Sequence, residues 1–245
     1  MFEQIMQMYN EIQLGKNSVC IECRKLHEAN GFFSRPLAPL QIGEHFEDDK
    51  YKILFVGKTA RGESPDKHNE LVIDDRSLST EHYRKRISPF WSYTMDIVNQ
   101  LYGLSQNEWE IGWKRIAMTN TVKCTRTHDN DNTSKEMKDN CISRLGVIWR
   151  EIEILRPKNV VFYTASYFDR FLNDIPIDMQ CDTIRDKHYK LYRENGDPWI
   201  IWWHRELHDK SKKPIMRVLR TNHPQGEPRE EFVNAIVRWL KGETL

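Results

Sequence analysis

The residues with the plainest chemical potential in this sequence are four of its five cysteines. Cys20 and Cys23 form a C-x-x-C pair, and Cys124 and Cys141 follow much later in the chain. Such a set could hold an iron–sulfur cluster, which cysteine thiolates bind, or a structural zinc ion, which more often takes two C-x-x-C pairs. A third interpretation is that the thiols bind no metal, since cysteine is among the most often buried residue types. Cys181 stands apart and is interpreted as a free thiol.

A second group of polar residues lies where short apolar runs of the sequence end. Lys58 comes directly after one such run, Asn120 lies near the end of another, and His223 follows a third. If the runs are parallel strands, their carboxyl ends meet at one edge of a sheet, where α/β proteins place their sites. An amide offers both a donor and an acceptor, and an imidazole can donate to a developing negative charge. We therefore expect chemistry at this edge.

A nucleoside-triphosphate site is not predicted, although Gly57, Lys58 and Thr59 spell the end of a phosphate-binding loop. That loop needs a further glycine about five residues before Gly57. This chain has Lys52 there, inside an apolar run, and it contains no G-x-G-x-x-G sequence.

The composition excludes several classes of protein. The 245 residues carry 37 Lys+Arg against 36 Asp+Glu, a net charge of +1. This charge argues against a strongly basic, histone-like protein that coats nucleic acid, but it allows a local basic surface such as RKR at 84–86. Hydrophobic residues make up 39%, which is enough for a core, and no apolar run is long enough to span a bilayer. Because the N-terminus lacks a secretory signal, we expect a cytoplasmic protein. We also expect it to be a monomer and to have no membrane partner.

Periodicity predicts strands that alternate with helices. It predicts helices at 2–14, 90–101, 134–155, 166–172 and 229–241, strands at 51–56, 116–122, 159–163 and 216–219, and irregular chain at 31–49 and 58–88. This order predicts an α/β fold, a three-layer α/β/α arrangement with a central, mainly parallel four-stranded sheet. We expect one domain over 1–245, with a divergent or inserted segment at about 174–213. In that segment Trp199, Trp202 and Trp203 are interpreted as sheet packing rather than as a surface that stacks bases.

A set of short motifs follows one another in the order found in a known family. The motifs are CIEC (20–23), KILFVGKTARGE (52–63), SPFWSYTMDIVNQLYGL (88–104), TNTVKC (119–124), Cys141, LRPKNVVFY (155–163) and TNHPQG (221–226). They resemble the uracil-DNA glycosylase superfamily, above all its bacterial and archaeal group with a four-iron, four-sulfur cluster. That group has a C-x-x-C near its start, a G-E-A-P-G loop, P-F before a helix, N-V-V-K-C, I-R-P and H-P-S. The resemblance covers 20–172 and 216–240.

The resemblance implies an enzyme that binds single- or double-stranded DNA, flips an altered base out of the stack and hydrolyses its bond to deoxyribose. Phe90 would stack on the base, and Asn120 would read its edge, with Gly57 and Thr59 beside it. His223 would stabilise negative charge on the departing base. The first four cysteines named above would hold a 4Fe-4S cluster that supports loops and does not react, with structural zinc as the alternative.

The first and last motifs depart from the family pattern. The family places an acid directly after the first glycine to hold the attacking water, and this chain has Lys58 there. Glu63 is the candidate to supply that carboxylate, while Lys58 could contact phosphate or attack the sugar as an amine. Gln225 stands where the family has serine. Because a charged lysine is no general base, the alternative function is a nucleic-acid-binding or sensing module that keeps the pocket and cluster without cleavage.

Overall fold

The computed structural model describes residues 1–28, 36, 41–59, 76–125, 133–172, 183–192, 198–209 and 211–243. Its strands are β1 (Gln41–Ile42), β2 (Ile53–Thr59), β3 (Ala117–Val122), β4 (Asn159–Phe162), β5 (Thr183–Tyr192), β6 (Pro198–His208) and β7 (Pro214–Arg220). Its α-helices are α1 (Phe2–Glu11), α2 (Ser18–Glu28), α3 (Arg76–Lys85), α4 (Pro89–Tyr102), α5 (Trp109–Trp113), α6 (Lys135–Lys138), α7 (Val147–Leu155), α8 (Asp169–Leu172) and α9 (Arg229–Leu240). A π-helical stretch (Asp139–Arg144) continues α6, and short 3-10 turns (Gln106–Glu108 and Ser166–Phe168) precede α5 and α8.

The strands form one seven-stranded sheet in the order β1-β3-β2-β4-β7-β6-β5. The four central strands, β3, β2, β4 and β7, run parallel to one another, and Gly57 lies opposite Asn120. β1 at one edge and the β5–β6 pair at the other add antiparallel strands. The parallel strands are short apolar runs because helices cover both of their faces.

Alternate residues of each strand enter two cores, one on each face of the sheet. Leu54 and Val56 pack in the core that contains α1 and α7, whereas Ile53 and Phe55 pack in the core that contains α4 and α9. By the same alternation Lys58 lies on the α1 and α7 side. The predicted three-layer α/β/α fold is confirmed.

The sheet is wider, and the helices are more divided, than the sequence predicts. Segment 174–213 supplies β5 and β6, and Trp202 and Trp203 of β6 are buried, as their interpretation as sheet packing requires. The side chain of Trp199 lies outside the described part. Segment 58–88, predicted to be irregular, contains α3, and β1 lies in the predicted loop.

The helix predicted at 134–155 begins at its predicted cap but does not run unbroken. Ser134 accepts a hydrogen bond from the backbone N–H of Met137 and so caps α6. Gly146, with φ 61°, then separates the π-helical stretch from α7, a conformation that glycine adopts without strain. No helix in the described stretches is long and apolar enough to cross a membrane.

Candidate functional site

Three of the predicted pocket residues converge at the carboxyl edge of the sheet. Gly57 of β2 pairs with Asn120 of β3, and Phe90 approaches both from α4. A methyl group placed on Gly57 would lie 2.3 Å from Asn120 Oδ1 and 3.2 Å from Phe90 Cε2. Because Gly57 has no Cβ, the Asn120 amide and the Phe90 ring can both occupy the space beside it. The Asn120 side chain is buried, so a ligand there would compete with little water for its hydrogen bonds.

Phe90 is held by the start of α4 and by aromatic neighbours. Ser88 is extended, and Pro89 occupies the first turn of the helix, where a missing N–H costs nothing. The Phe90 ring meets Trp91 and Tyr163 edge to face, at centroid distances of 5.0 and 5.8 Å. Burial raises the pKa of Tyr163 far above its usual range, so this phenol stays uncharged where it packs against Phe90.

His223 follows β7 and faces Phe90 across the same edge. The two ring planes are 12° apart with centroids at 6.4 Å, so a planar base stacked on Phe90 would run parallel to the imidazole. The backbone N–H of Gln225 donates to His223 Nδ1 at 3.2 Å. A neutral imidazole that accepts at Nδ1 carries its proton on Nε2, where it can donate. Gln225 makes this contact through its backbone N–H, which every residue type except proline supplies.

The structure does not bring Lys58 and Thr59 into this group. Lys58 Nζ lies 5.3 Å from the centre of the Tyr167 ring. The Thr59 hydroxyl donates to the carbonyl oxygen of Cys124 at 2.6 Å. Glu63, the candidate carboxylate, lies outside the described residues, as does Cys181. The described part of the chain thus assembles a candidate base pocket without assigning the group that places water.

The four candidate metal ligands line one cavity between α2, the end of β3 and the π-helical stretch. Cys20 and Cys23 lie in the helix α2 and not on a tight turn, and their spacing puts both thiols on one helix face. Cys124 follows β3, and Cys141 lies in the π-helical stretch, a geometry that is frequent at functional sites. The thiols of four cysteines from three separate parts of the chain therefore face the same cavity.

Burial raises the pKa of all four thiols, to about 12 for Cys141 and well above the usual value for Cys124. Without a metal they are protonated at neutral pH, and a metal must displace these protons. Among the described residues no group of three or more His, Cys, Asp or Glu side chains is gathered closely enough to hold a single ion. A four-iron cluster takes one thiolate on each iron, which is a wider arrangement, so this finding does not bear on it.

A buried ion pair lies between the pocket and the thiols. Lys123 Nζ is 2.6 Å from Glu151 Oε1, and both side chains are almost fully inaccessible to solvent. Lys123 also donates to the Thr119 hydroxyl and to the carbonyl oxygen of Asn120, both at 2.7 Å. Its backbone N–H donates to the thiol of Cys141, and Glu151 accepts from Tyr9 of α1. Lys123, the residue directly after β3, thus contacts both candidate sites.

The predicted basic surface at 84–86 is largely neutralised by acidic neighbours. Lys85 and Arg84 lie beside Glu81, and Arg86 lies 2.7 Å from Asp96. Another positive surface lies around Tyr167, close to Lys58, and the sequence contains no motif that indicates it.

No protein-family model matches the chain, and no curated protein matches it in sequence. Function is therefore argued from the residues of this chain and from their placement.

Proposed function

We propose that this protein is a DNA glycosylase that hydrolyses the bond between deoxyribose and uracil or another altered base. The observation that carries the proposal is the convergence of Gly57, Asn120 and Phe90 beside His223 at the carboxyl edge of the sheet. These residues come from motifs far apart in the chain, and each has a type that base excision needs. A flat ring, a buried amide and an imidazole N–H in one place support a pocket for a single planar base.

Each of these side chains has one task in the proposed reaction. Phe90 stacks on the flipped base, and the Asn120 amide pairs with its edge through one donor and one acceptor. As the bond between C1′ and the base nitrogen breaks, its electron pair leaves with the base, and His223 stabilises the resulting negative charge by donating from Nε2. Water adds to C1′; one of its protons stays in the new hydroxyl group, and the other passes through solvent to the departed base.

The shared cavity of the four cysteines supports a 4Fe-4S cluster as the resident cofactor. Cys20, Cys23, Cys124 and Cys141 would hold it, and it would supply a covalent link between α2, β3 and the π-helical stretch. Its proposed contribution is structural: it would fix the end of β3, the strand that carries Asn120.

Lys58 favours a second candidate function, a nucleic-acid-binding module that does not cleave. In the motif that the chain resembles this position holds an acid, whereas the Lys58 ammonium lies over Tyr167. An ammonium held against an aromatic face is suited to phosphate contact and unsuited to activating water.

The test is an excision assay on labelled oligonucleotides that carry uracil, hypoxanthine or only normal bases. Alkali cuts the strand wherever a base has been removed, so cleaved product reports excision directly. We expect product from one altered base, and we expect Asn120→Ala to lower the rate at least about 100-fold because one preorganised hydrogen-bonding group is lost.

Asn234→Ala is the matched control, since this asparagine of α9 accepts a hydrogen bond from Gln100 at the surface, away from the candidate pocket. It is expected to keep wild-type activity. Binding of the same oligonucleotides without any cleavage, by protein with a full complement of iron, would favour the non-cleaving module instead.

A further inference from the structure

Tyr167 is a large aromatic side chain that faces solvent at the carboxyl edge of the sheet. It is 48% exposed, whereas the neighbouring Phe168 and Phe171 are buried. It follows Ala165, whose backbone (φ 60°, ψ 176°) lies in a region that residues other than glycine rarely adopt. The N–H of Ala165 donates to the carbonyl oxygen of Thr221 at 2.9 Å, which ties this turn to the end of β7, near His223.

Two ammonium groups lie against the Tyr167 ring. Lys58 Nζ is 5.3 Å and Lys138 Nζ is 5.1 Å from its centroid. Lys138 also lies 5.0 Å from the Phe168 ring and 5.6 Å from the Phe171 ring. Arg170 adds a third positive charge beside Phe171, at 4.7 Å.

Lys138 is a buried cation with no ion-pair partner in the described part of the chain. Its side chain is only 9% exposed, and among the described residues no acid forms an ion pair with it. Burial and the charge of Arg170 lower its pKa, and Glu136, two residues earlier on α6, opposes them weakly. The like charges of Lys138 and Arg170 repel one another at this partly buried place, and a bound anion would relieve that repulsion. The arrangement is therefore suited to a bound anion.

We propose that Tyr167, Lys58 and Lys138 form a nucleotide subsite beside the base pocket, where the ring stacks on a base of a single DNA strand and each lysine holds one of the two phosphates that flank it. The proposal rests on the proposed function, whose substrate it extends by one nucleotide. Aromatic stacking next to cationic side chains is the usual means of holding single strands without sequence preference.

The chain places this subsite directly beside the pocket. Gly57 and Lys58 are consecutive residues of β2, so their Cα atoms are about 3.8 Å apart. Gly57 lies against Asn120 and Phe90, and the Lys58 side chain points to the opposite face of the sheet, where its ammonium lies over Tyr167. A strand that crosses the sheet edge can therefore place one base against Phe90 and an adjacent nucleotide against Tyr167.

The test measures fluorescence anisotropy of a labelled single-stranded oligonucleotide with one uracil, titrated with protein at several salt concentrations. Lys138→Met and Lys58→Met should each reduce the slope of log affinity against log salt by about 0.7, the value for one phosphate on a single strand. Lys138→Arg should restore the slope. Tyr167→Leu should weaken binding about tenfold with little change of slope, and Tyr167→Phe should bind as wild type does.

Lys158→Met is the control for charge, since Lys158 is exposed at the amino end of β4, on the opposite edge of the sheet, where it donates to the carbonyl oxygen of Lys50. It should leave affinity and slope unchanged. Unfolding in urea shows whether each variant is folded.

The outcomes separate this proposal from the proposed function. Excision that persists, with wild-type affinity and slope for Tyr167→Leu and Lys138→Met, would overturn the subsite and leave the glycosylase standing. Binding that depends on these residues, with no excision of any base, would support the subsite and overturn the glycosylase. Wild-type protein that binds no DNA would overturn both.

Discussion

At position 57 a hydrogen atom stands where every other residue type has a carbon, and the pocket depends on that difference. A Cβ there would lie 2.3 Å from Asn120 Oδ1, an atom at the far end of a side chain that can rotate. We expect Gly57→Ala to turn the amide away from the base while the fold survives. Excision should fall about 100-fold, while the free energy of unfolding changes by less than about 1 kcal/mol. Rates and urea curves measure the two effects separately.

A double-mutant cycle tests whether Gly57 acts through the amide. If it does, Gly57→Ala should add little to the loss already caused by Asn120→Ala. Full activity of Gly57→Ala would mean that the amide and the glycine do not share the space that a base would enter.

Three elements are joined by the ion pair of Lys123 and Glu151, which links the end of β3 to α7 and, through Tyr9, to α1. Glu151→Gln would leave a buried ammonium without its carboxylate. We expect the free energy of unfolding, measured in urea, to fall by about 3 kcal/mol.

The matched control replaces both members of the pair. Lys123→Met with Glu151→Leu removes both charges and keeps an apolar filling, so it should recover much of the stability. Equal losses in the single and double variants would show that shape, and not charge, holds these elements together.

The proposed cluster would depend on α2, the end of β3 and the π-helical stretch together. Protein purified without oxygen should contain about four irons per chain. Cys141→Ser removes one ligand from the π-helical stretch and should lose the iron and much of the stability, because metal binding and folding are coupled. Cys181→Ser should keep the iron, and it is the matched control. One zinc per chain, with no colour, would contradict the cluster.

The elements that the sequence predicted well are those whose local pattern agrees with their place in the fold. β2, β3, β4 and β7 are short apolar runs because both of their faces are covered. α3 was missed because RSLSTEHYRK has few apolar residues at helical spacing. β5 was missed because TIRDKHYKLY is mostly polar and reads as loop.

The candidate site was predictable to the extent that short motifs carried it. Asn120, Phe90 and His223 lie in motifs and come together as expected, and the four cysteines line one cavity. The contact of Lys58 and Lys138 with Tyr167 joins residues far apart in sequence, and no local pattern records it. Such contacts depend on the packing of whole elements.

At the scale of the whole molecule, the net charge of +1 limits how strongly the proposed DNA substrate would be attracted. Long-range attraction is weak, so affinity must come from a few local cations such as Lys58, Lys138 and Arg170. We expect log affinity for a single strand to fall with log salt at a slope of about −2, which corresponds to about three phosphates. A slope steeper than about −5 would require a much larger basic surface than the one around Tyr167.

The hydrogen bond from the Thr59 hydroxyl to the carbonyl of Cys124 joins the last paired residue of β2 to the chain two residues past the end of β3. If Cys124 holds iron, a chain synthesised in iron-starved cells lacks the anchor behind that hydrogen bond. The pairing of β2 with β3 would then break first at this end of the two strands, and cellular proteases degrade chains that have locally unfolded. The lifetime of the protein in a cell would therefore follow iron supply, independently of any damage to DNA.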